Sequence, residues 1–324
     1  VMPYNVVKTL YPMCRNSSFK ITVTMIKKEY NWLITKVESG NTSKNHYGLA
    51  VDLGSTTIIM QLVDLNNGQV IAEESTFNKQ IKYGEDILSR IFYTKQYEDG
   101  LKEIQNSTIE SFKELIDKLE NKTNIEIKSC GIMTVAGNTT MMHFLLGINP
   151  WTIFQSPFTP VFNEGGFIKG KEIGIPIDGY VYCFPSIANY FGGDLVSGLL
   201  YSKIYKKDEL SAFIDIGTNG ELVIGNKDFL IAAAGAAGPA LEGGISKYGM
   251  RASDGAIDSV KIINNKITYT TINNKKARGI CGSGIVDLIA ELFLNKWIDF
   301  SGTLIPENST SIFKINDEYA VEYV

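Results

Sequence analysis

The sequence predicts an α/β protein built from two related domains, and three observations carry that reading. Asp52-Leu-Gly-Ser-Thr-Thr57 recurs as Asp215-Ile-Gly-Thr-Asn-Gly220 after 163 residues, a period too long for a solenoid. Each copy stands in the same context: an apolar strand, a glycine turn, then two more strands. The chain of 324 residues, 44% hydrophobic, is long enough for about two domains with cores of their own.

Residues 1–46 are polar and aromatic, with one expected strand pair, Lys20–Met25 and Trp32–Val37. Gly48–Leu53 reads as a buried strand. The turn Gly54–Thr57 follows, then a strand Ile58–Leu65. That strand ends at Asn66-Asn67-Gly68, a hairpin signal because Asn and Gly tolerate positive φ. Val70–Phe77 completes a three-strand meander. Helices are expected over Glu85–Lys95 and Gly100–Leu119; in the second, Leu101, Ile104, Ile109, Phe112, Leu115, Ile116 and Leu119 recur at helical spacing.

Lys128–Ala136 reads as a strand that feeds Gly137-Asn138-Thr139-Thr140, an N-cap signal for a helix to Leu146 with Gly147 as its C-cap. A loop rich in Pro and Phe occupies 149–162. Tyr180–Phe184 is an expected strand and Gly192–Ile204 an expected helix. The opening pattern then returns as Ser211–Asp215, Glu221–Ile224 and Phe229–Ala234. A hairpin, Lys261–Asn264 with Lys266–Thr271, precedes a helix from Gly282 to Lys296. The resulting domains are 1–46, the remnant of a preceding segment; 47–204, the first lobe; and 205–324, the second.

Acidic residues outnumber basic ones, 35 to 31, for a net charge of −4. No global basic field exists to attract nucleic acid or an anionic membrane. No stretch approaches the roughly 18 consecutive apolar residues of a spanning helix. The four cysteines (Cys14, Cys130, Cys183, Cys281) are scattered, and only His46 and His143 are histidines. This argues against a disulfide framework, and against a zinc site or iron–sulfur cluster held by this chain alone. The expected location is cytoplasmic.

Each repeated hairpin places an Asp near the end of a strand read as buried. A buried carboxylate needs a partner, and a divalent cation, held directly or through its waters, is a natural one. Gly54 and Gly217 allow close backbone approach, and successive N–H groups in such a turn form an anion nest. Ser55, Thr56, Thr57, Thr218, Asn219 and Gly220 complete the two turns. The implied chemistry is a cradle for phosphate and Mg²⁺, with Asp52 and Asp215 positioning the metal through water. A single copy reads more readily as a tight turn; two in one context reverse that preference and favour the cradle. A P-loop is absent, and Asp287 breaks the dinucleotide fingerprint that Gly282-Ser-Gly284 begins. Asn138 and Thr139 read as helix caps, Arg90 as a helix-surface ion-pair residue, and His143 as a satisfied core histidine.

Paired Asp-x-Gly hairpins in duplicated α/β domains resemble the superfamily of actin, sugar kinases and heat-shock chaperone ATPases. In that superfamily ATP lies between two ribonuclease-H-like domains. The resemblance narrows with an ordered set: Tyr47–Thr57, Tyr83-Gly-Glu-Asp-Ile-Leu-Ser-Arg90, Val135-Ala-Gly-Asn-Thr-Thr-Met-Met-His143 and Phe191-Gly-Gly-Asp194. It continues with Ile214–Glu221, Ala236-Ala-Gly-Pro-Ala-Leu-Glu242, Gly249-Met-Arg-Ala252 and Gly279-Ile-Cys-Gly-Ser-Gly284. Over about residues 32–297 the chain resembles the ATP-binding part of the reductive activators of corrinoid proteins.

The resemblance implies ATP and Mg²⁺ as cofactors, slow ATP hydrolysis, and a corrinoid protein partner driven from Co(II) to Co(I). It implies that Asp194 orients the attacking water and that Gly238, Pro239 and Glu242 line the nucleotide site, where a helix starting at Pro239 points N–H groups outward. The iron–sulfur cluster of the family sits in an N-terminal ferredoxin-like domain with no counterpart in this sequence. The superfamily's late Gly-Gly adenosine loop has none after Trp297, so the second lobe is expected to be incomplete at its C-terminus. A homodimer stays open, as do two other readings: a small-molecule kinase on the same fold with Asp194 as base, and an assembly protein in which nucleotide is structural.

Overall fold

The computed structural model describes residues 2, 4–28, 30–189, 191–217, 219–236 and 248–322. Contacts divide the chain into two units, residues 1–213 with 222–232, and residues 214–221 with 233–324.

The first unit begins with helix α1 (Tyr4–Asn16), in a segment for which only the strand pair Lys20–Met25 and Trp32–Val37 was named. The expected pair follows as β1 (Ile21–Lys28) and β2 (Asn31–Ser39), antiparallel and longer than the apolar pattern indicates. The meander is β3 (Tyr47–Leu53), β4 (Thr57–Asp64) and β5 (Gln69–Phe77). Gly68, at φ +77°, closes the β4–β5 turn.

Helices α2 (Ile87–Gln96) and α3 (Gly100–Thr123) come next. The first starts two residues later than its apolar pattern, because Asp86 and Ser89 form a reciprocal capping box. Then come β6 (Ile132–Ala136), α4 (Thr139–Leu146), the single turn α5 (Trp151–Phe154), β7 (Gly166–Lys169), β8 (Tyr180–Cys183) and α6 (Gly193–Ser202). The strand expected from Lys128 starts only at Ile132; a 3-10 turn over Ile127–Ser129 takes up its first residues.

One six-stranded sheet runs in the order β5-β4-β3-β6-β8-β7. Strands β3, β6 and β8 are parallel, and the outer pairs are antiparallel. Period-2 alternation sends Leu49, Val51 and Leu53 of β3, Ile58, Met60 and Leu62 of β4, and Met133 and Val135 of β6 into one core. There they meet Ile104, Phe112, Leu115, Ile116 and Leu119 of α3 and Met141, Met142, Phe144 and Leu145 of α4. The loop at 149–162 is partly anchored: Trp151, Phe154 and Phe162 pack on this core, while Phe158 and Val161 stay exposed.

The repeated opening reappears as β9 (Ser211–Ile216), β10 (Asn219–Gly225) and β11 (Leu230–Ala236), in the sheet order β11-β10-β9 that mirrors β5-β4-β3. The boundary between the units runs through these strands. In the first unit, Phe213 and Val223 pack with Leu195 and Leu199 of α6.

The second unit holds β12 (Ala256–Ile263), β13 (Lys266–Thr271), β14 (Gly279–Ile280), α7 (Gly282–Leu294), β15 (Ile312–Ile315) and β16 (Glu318–Val321). The β12–β13 hairpin turns on Asn264 and Asn265, both at positive φ. Helix α7 starts at the expected Cys281-Gly282-Ser283-Gly284, and a Cβ on Gly284 would run into the Ile257 carbonyl. Among the described residues no helix is long and apolar enough to cross a membrane.

Candidate functional site

Three parallel strands end side by side in the first unit, and the segments that follow them carry Asp52, Gly54–Thr57 and Asp194 of the expected site. Asp52, the penultimate residue of β3, pairs in register with Ala136 at the end of β6. Asp52 is exposed, with Val51 and Leu53 buried on either side. This corrects the expectation of a buried carboxylate: alternation along β3 turns residue 52 to the face opposite the core. Gly54 then begins the turn, where a Cβ would meet the Thr57 carbonyl oxygen. Ser55 is buried, Thr56 half-buried and Thr57 exposed at the start of β4.

The turn is held from behind by a residue that sequence reasoning missed. Asn78, fully buried after β5, donates Nδ2–H to the Gly54 carbonyl at 2.9 Å, and its backbone N–H donates to the Thr56 carbonyl at 2.8 Å. Asn78 Oδ1 accepts from the Gln80 amide at 3.0 Å. Gln80, also fully buried, donates Nε2–H to Thr108 Oγ1 of α3 at 2.6 Å and accepts from Arg90 Nη1 at 3.1 Å. Arg90 was expected on the helix surface. It is fully buried, and its Nε–H donates to the Gly84 carbonyl at 2.9 Å. An isolated Arg on an amphipathic helix gives no sign of such non-local partners, so only the polar run from Asn78 to Gln80, with no apolar residue, could have hinted at this layer.

The end of β6 passes through Gly137, whose Cβ position lies 2.7 Å from the Leu53 carbonyl oxygen. Asn138 caps α4 as expected, its side chain accepting from the Met141 amide at 2.9 Å. Buried Thr139 donates its hydroxyl to the Ala188 carbonyl at 2.6 Å. Helix α6 starts against this corner. The Gly193 amide donates to the Gly137 carbonyl at 2.8 Å, and a Cβ on Gly192 would collide with Asn138 Cα. Asp194, half-buried, is thereby held beside the ends of β3 and β6, its Oδ1 accepting from the Leu195 amide at 2.8 Å. Asp52, the Gly54–Thr57 turn and Asp194 are thus brought to one end of one sheet.

His143 is the satisfied core histidine expected. Its Nδ1–H donates to the Thr139 carbonyl at 2.8 Å, and Nε2 accepts from the Val161 amide at 3.2 Å, which fixes the tautomer. Burial holds its pKa below the usual histidine value, against the Thr139 hydrogen bond.

The second copy belongs to the other unit. Asp215 is half-buried near the end of β9, Gly217 is exposed, and Asn219 and Gly220 open β10. Thr218, Gly238, Pro239 and Glu242 lie outside the described residues. The second unit also contains a cavity of about 390 Å³ lined by Tyr248, Ile257, Arg278, Gly279 and Glu322, among others. Cys130, Cys183 and Cys281 are buried and free, and burial pushes the Cys130 and Cys183 thiols up to about 12. Among the described residues no three His, Cys, Asp or Glu side chains gather as a metal cage.

Two family models match in series: the RACo middle region over residues 47–207, and the C-terminal domain of RACo, the ASKHA domain, over residues 209–324. The chain belongs to the RACo family. Among the relatives of this RACo family member, the corrinoid activation enzyme RamQ of Eubacterium limosum is 35% identical over 294 residues, 90% of this chain and 49% of RamQ. The Co(II) methylated amine-specific corrinoid protein reductase of Methanosarcina barkeri is 27% identical over 237 residues, 66% of this chain and 41% of that protein. A solved structure described as a reductive activator for corrinoid, iron-sulfur protein matches with a TM-score of 0.81 at 38% identity, over 98% of this chain and 52% of the other. The chain therefore spans about half the length of the relatives it matches. Its fold is that of an actin-like ATPase, as the paired hairpins implied.

Proposed function

We propose that this chain is the ATP-binding part of a protein that drives a corrinoid protein from Co(II) to Co(I). The observation that carries the reading is the convergence of Asp52, the Gly54–Thr57 turn and Asp194 at the ends of three parallel strands. A carboxylate, a glycine turn with hydroxyls, and a second carboxylate at a helix start form the donor set of a phosphoryl-transfer site.

The donor set also fits Mg²⁺. One exposed carboxylate beside a turn with hydroxyls suits an ion that keeps its waters and is shared with phosphates. Asp52 would hold it through water, with Asp215 as the matching residue of the second hairpin; bound there, the ion would supply charge neutralisation on the phosphates. The Ser55, Thr56 and Thr57 hydroxyls and turn amides orient the phosphates, with Gly217, Thr218, Asn219 and Gly220 as the second loop. Gly238, Pro239 and Glu242 are assigned to the nucleotide site by the same reading. Asp194 accepts a hydrogen bond from the attacking water and aligns it on the γ-phosphorus. The new P–O bond forms as the bond to the β–γ bridging oxygen breaks, giving ADP and phosphate.

Family membership supports the remainder. Co(II) takes one electron from an iron–sulfur donor, and ATP binding and hydrolysis supply the conformational work. The lobes are 47–204 and 205–324, and the protein acts in the cytoplasm.

Calorimetric titration of Mg·ATP into the chain is the test, with a corrinoid protein, an iron–sulfur reductant and ATP then followed for the Co(I) absorbance. Saturable binding that Asp52→Ala weakens, and Co(I) formation that needs ATP, are expected. Absence of Mg·ATP binding, or equal Co(I) yield without ATP, would overturn the proposal.

A further inference from the structure

We infer that Asn78 is a positioning residue for phosphate recognition, fixing the direction in which the first turn presents its backbone N–H groups. The inference rests on the reading of Gly54–Thr57 as a phosphate loop. In a trans peptide the carbonyl and the following N–H point in opposite directions. Asn78 Nδ2–H takes the Gly54 carbonyl at 2.9 Å, and the Asn78 backbone N–H takes the Thr56 carbonyl at 2.8 Å. Both carbonyls are drawn to the Asn78 side, so the Ser55 and Thr57 N–H groups are turned to the opposite side of the turn. Two N–H groups aimed the same way from one short turn make an anion nest.

The side chain has two arms with different duties. Its donor arm reaches the turn. Its acceptor arm, Oδ1, takes the Gln80 amide at 3.0 Å and so belongs to the fold. The amide cannot flip without setting a carbonyl oxygen against the Gly54 oxygen and an NH₂ against the Gln80 N–H. Asn78 is 0% exposed, and Met141 Sδ lies 3.8 Å from its Nδ2. Behind it, Gln80 is clamped between Thr108 and Arg90. The amide orientation is therefore set from the protein interior, with no help from a ligand. A free loop would lose orientational freedom on binding phosphate; this one is ordered beforehand.

The shape-conserving substitution Asn78→Asp separates the arms: it keeps the acceptor towards Gln80 and replaces the donor towards Gly54 with a second acceptor. Asn78→Ser removes both arms without burying a carboxylate and serves if the Asp variant does not fold. Thr108→Val loosens the layer beneath without touching the turn. Each chain is melted thermally and titrated with Mg·ATP well below its midpoint.

Asn78→Asp and Asn78→Ser are expected to weaken Mg·ATP binding by about tenfold or more, the scale of one lost orienting hydrogen bond. Thr108→Val is expected to melt earlier and to bind as the wild type does. A folded Asn78→Asp or Asn78→Ser chain with wild-type affinity, whatever its melting point, overturns the inference. If wild type binds and Asp52→Ala abolishes binding while both Asn78 variants bind normally, the site reading stands and only this inference falls. If wild type itself does not bind, both fall together.

Discussion

The Gly193 amide donates to the Gly137 carbonyl at 2.8 Å. This single main-chain bond joins the first turn of α6 to the residue that leaves β6. Asp194 follows the bonded Gly193 directly in the chain, and Gly192 just before it rests on Asn138 Cα.

Gly192→Ala tests that close approach. Gly192 sits at φ −87°, ψ −171°, a conformation open to alanine. Any penalty therefore comes from the added methyl meeting backbone atoms of Gly137 and Asn138, which cannot give way as a side-chain tip can. A loss of about 1–3 kcal/mol in denaturant unfolding is expected, the usual range for overpacking. An unchanged midpoint would show that α6 can shift to accommodate it.

Asp194→Asn keeps the oxygen that accepts from the Leu195 amide, so the first turn of α6 survives. The carboxylate charge that the proposed mechanism sets against the attacking water is lost. ATP turnover should fall by about 10²-fold, within the range for a positioned acid or base. Mg·ATP affinity from calorimetry should stay within about twofold, which separates chemistry from binding. Loss of affinity with unchanged turnover would assign Asp194 to binding.

Asn138→Ala removes the cap on the Met141 amide and should cost about 1 kcal/mol in chemical denaturation. Asn138→Asp keeps the accepting oxygen and adds a charge that the helix dipole favours, so it should retain most of that stability. Equal losses in the two variants would mean the amide NH₂, rather than the cap, matters.

His143 makes stability depend on pH with a definite sign. Its folded pKa lies below the unfolded value because burial disfavours the charged ring. The unfolded chain therefore binds more protons in the window between the two. The contribution of His143 is complete above about pH 6.5 and is lost as pH falls below it towards the folded value. Thermal midpoints taken between about pH 8 and pH 5 should drop on the acid side, and the His143→Gln chain should show a shallower drop. Parallel curves for the two chains would remove His143 as the source.

Much of this was legible in residue order. The β3–β5 meander is written in an apolar alternation that ends at Asn66-Asn67-Gly68. Helix α3 is written in its spacing, and α4 in Asn138 at one end and Gly147 at the other. The repeat of Asp52–Thr57 at Asp215–Gly220 pointed to two related openings, and both appear as three consecutive strands in matching order. What escaped depends on distant partners. Helix α1 carries Pro12 inside it and no acidic first turn, so local signals argued against it. Strand β7 is four residues long and is defined by its pairing with β8, not by its own pattern. Arg90 and Asp52 were misjudged in opposite directions, for one reason. Burial of a polar side chain is decided by which face its neighbours turn inward, and by whether a non-local group such as Gln80 can receive it.

The Val161 amide, in a residue 56% exposed, is tied to His143 Nε2 at 3.2 Å. That bond exists only while the imidazole lacks a proton at Nε2. Solvent exchange at this one backbone hydrogen is therefore a built-in reporter: slow while His143 is neutral, fast once the ring is protonated, and readable by magnetic resonance in the intact chain without any label at the histidine itself.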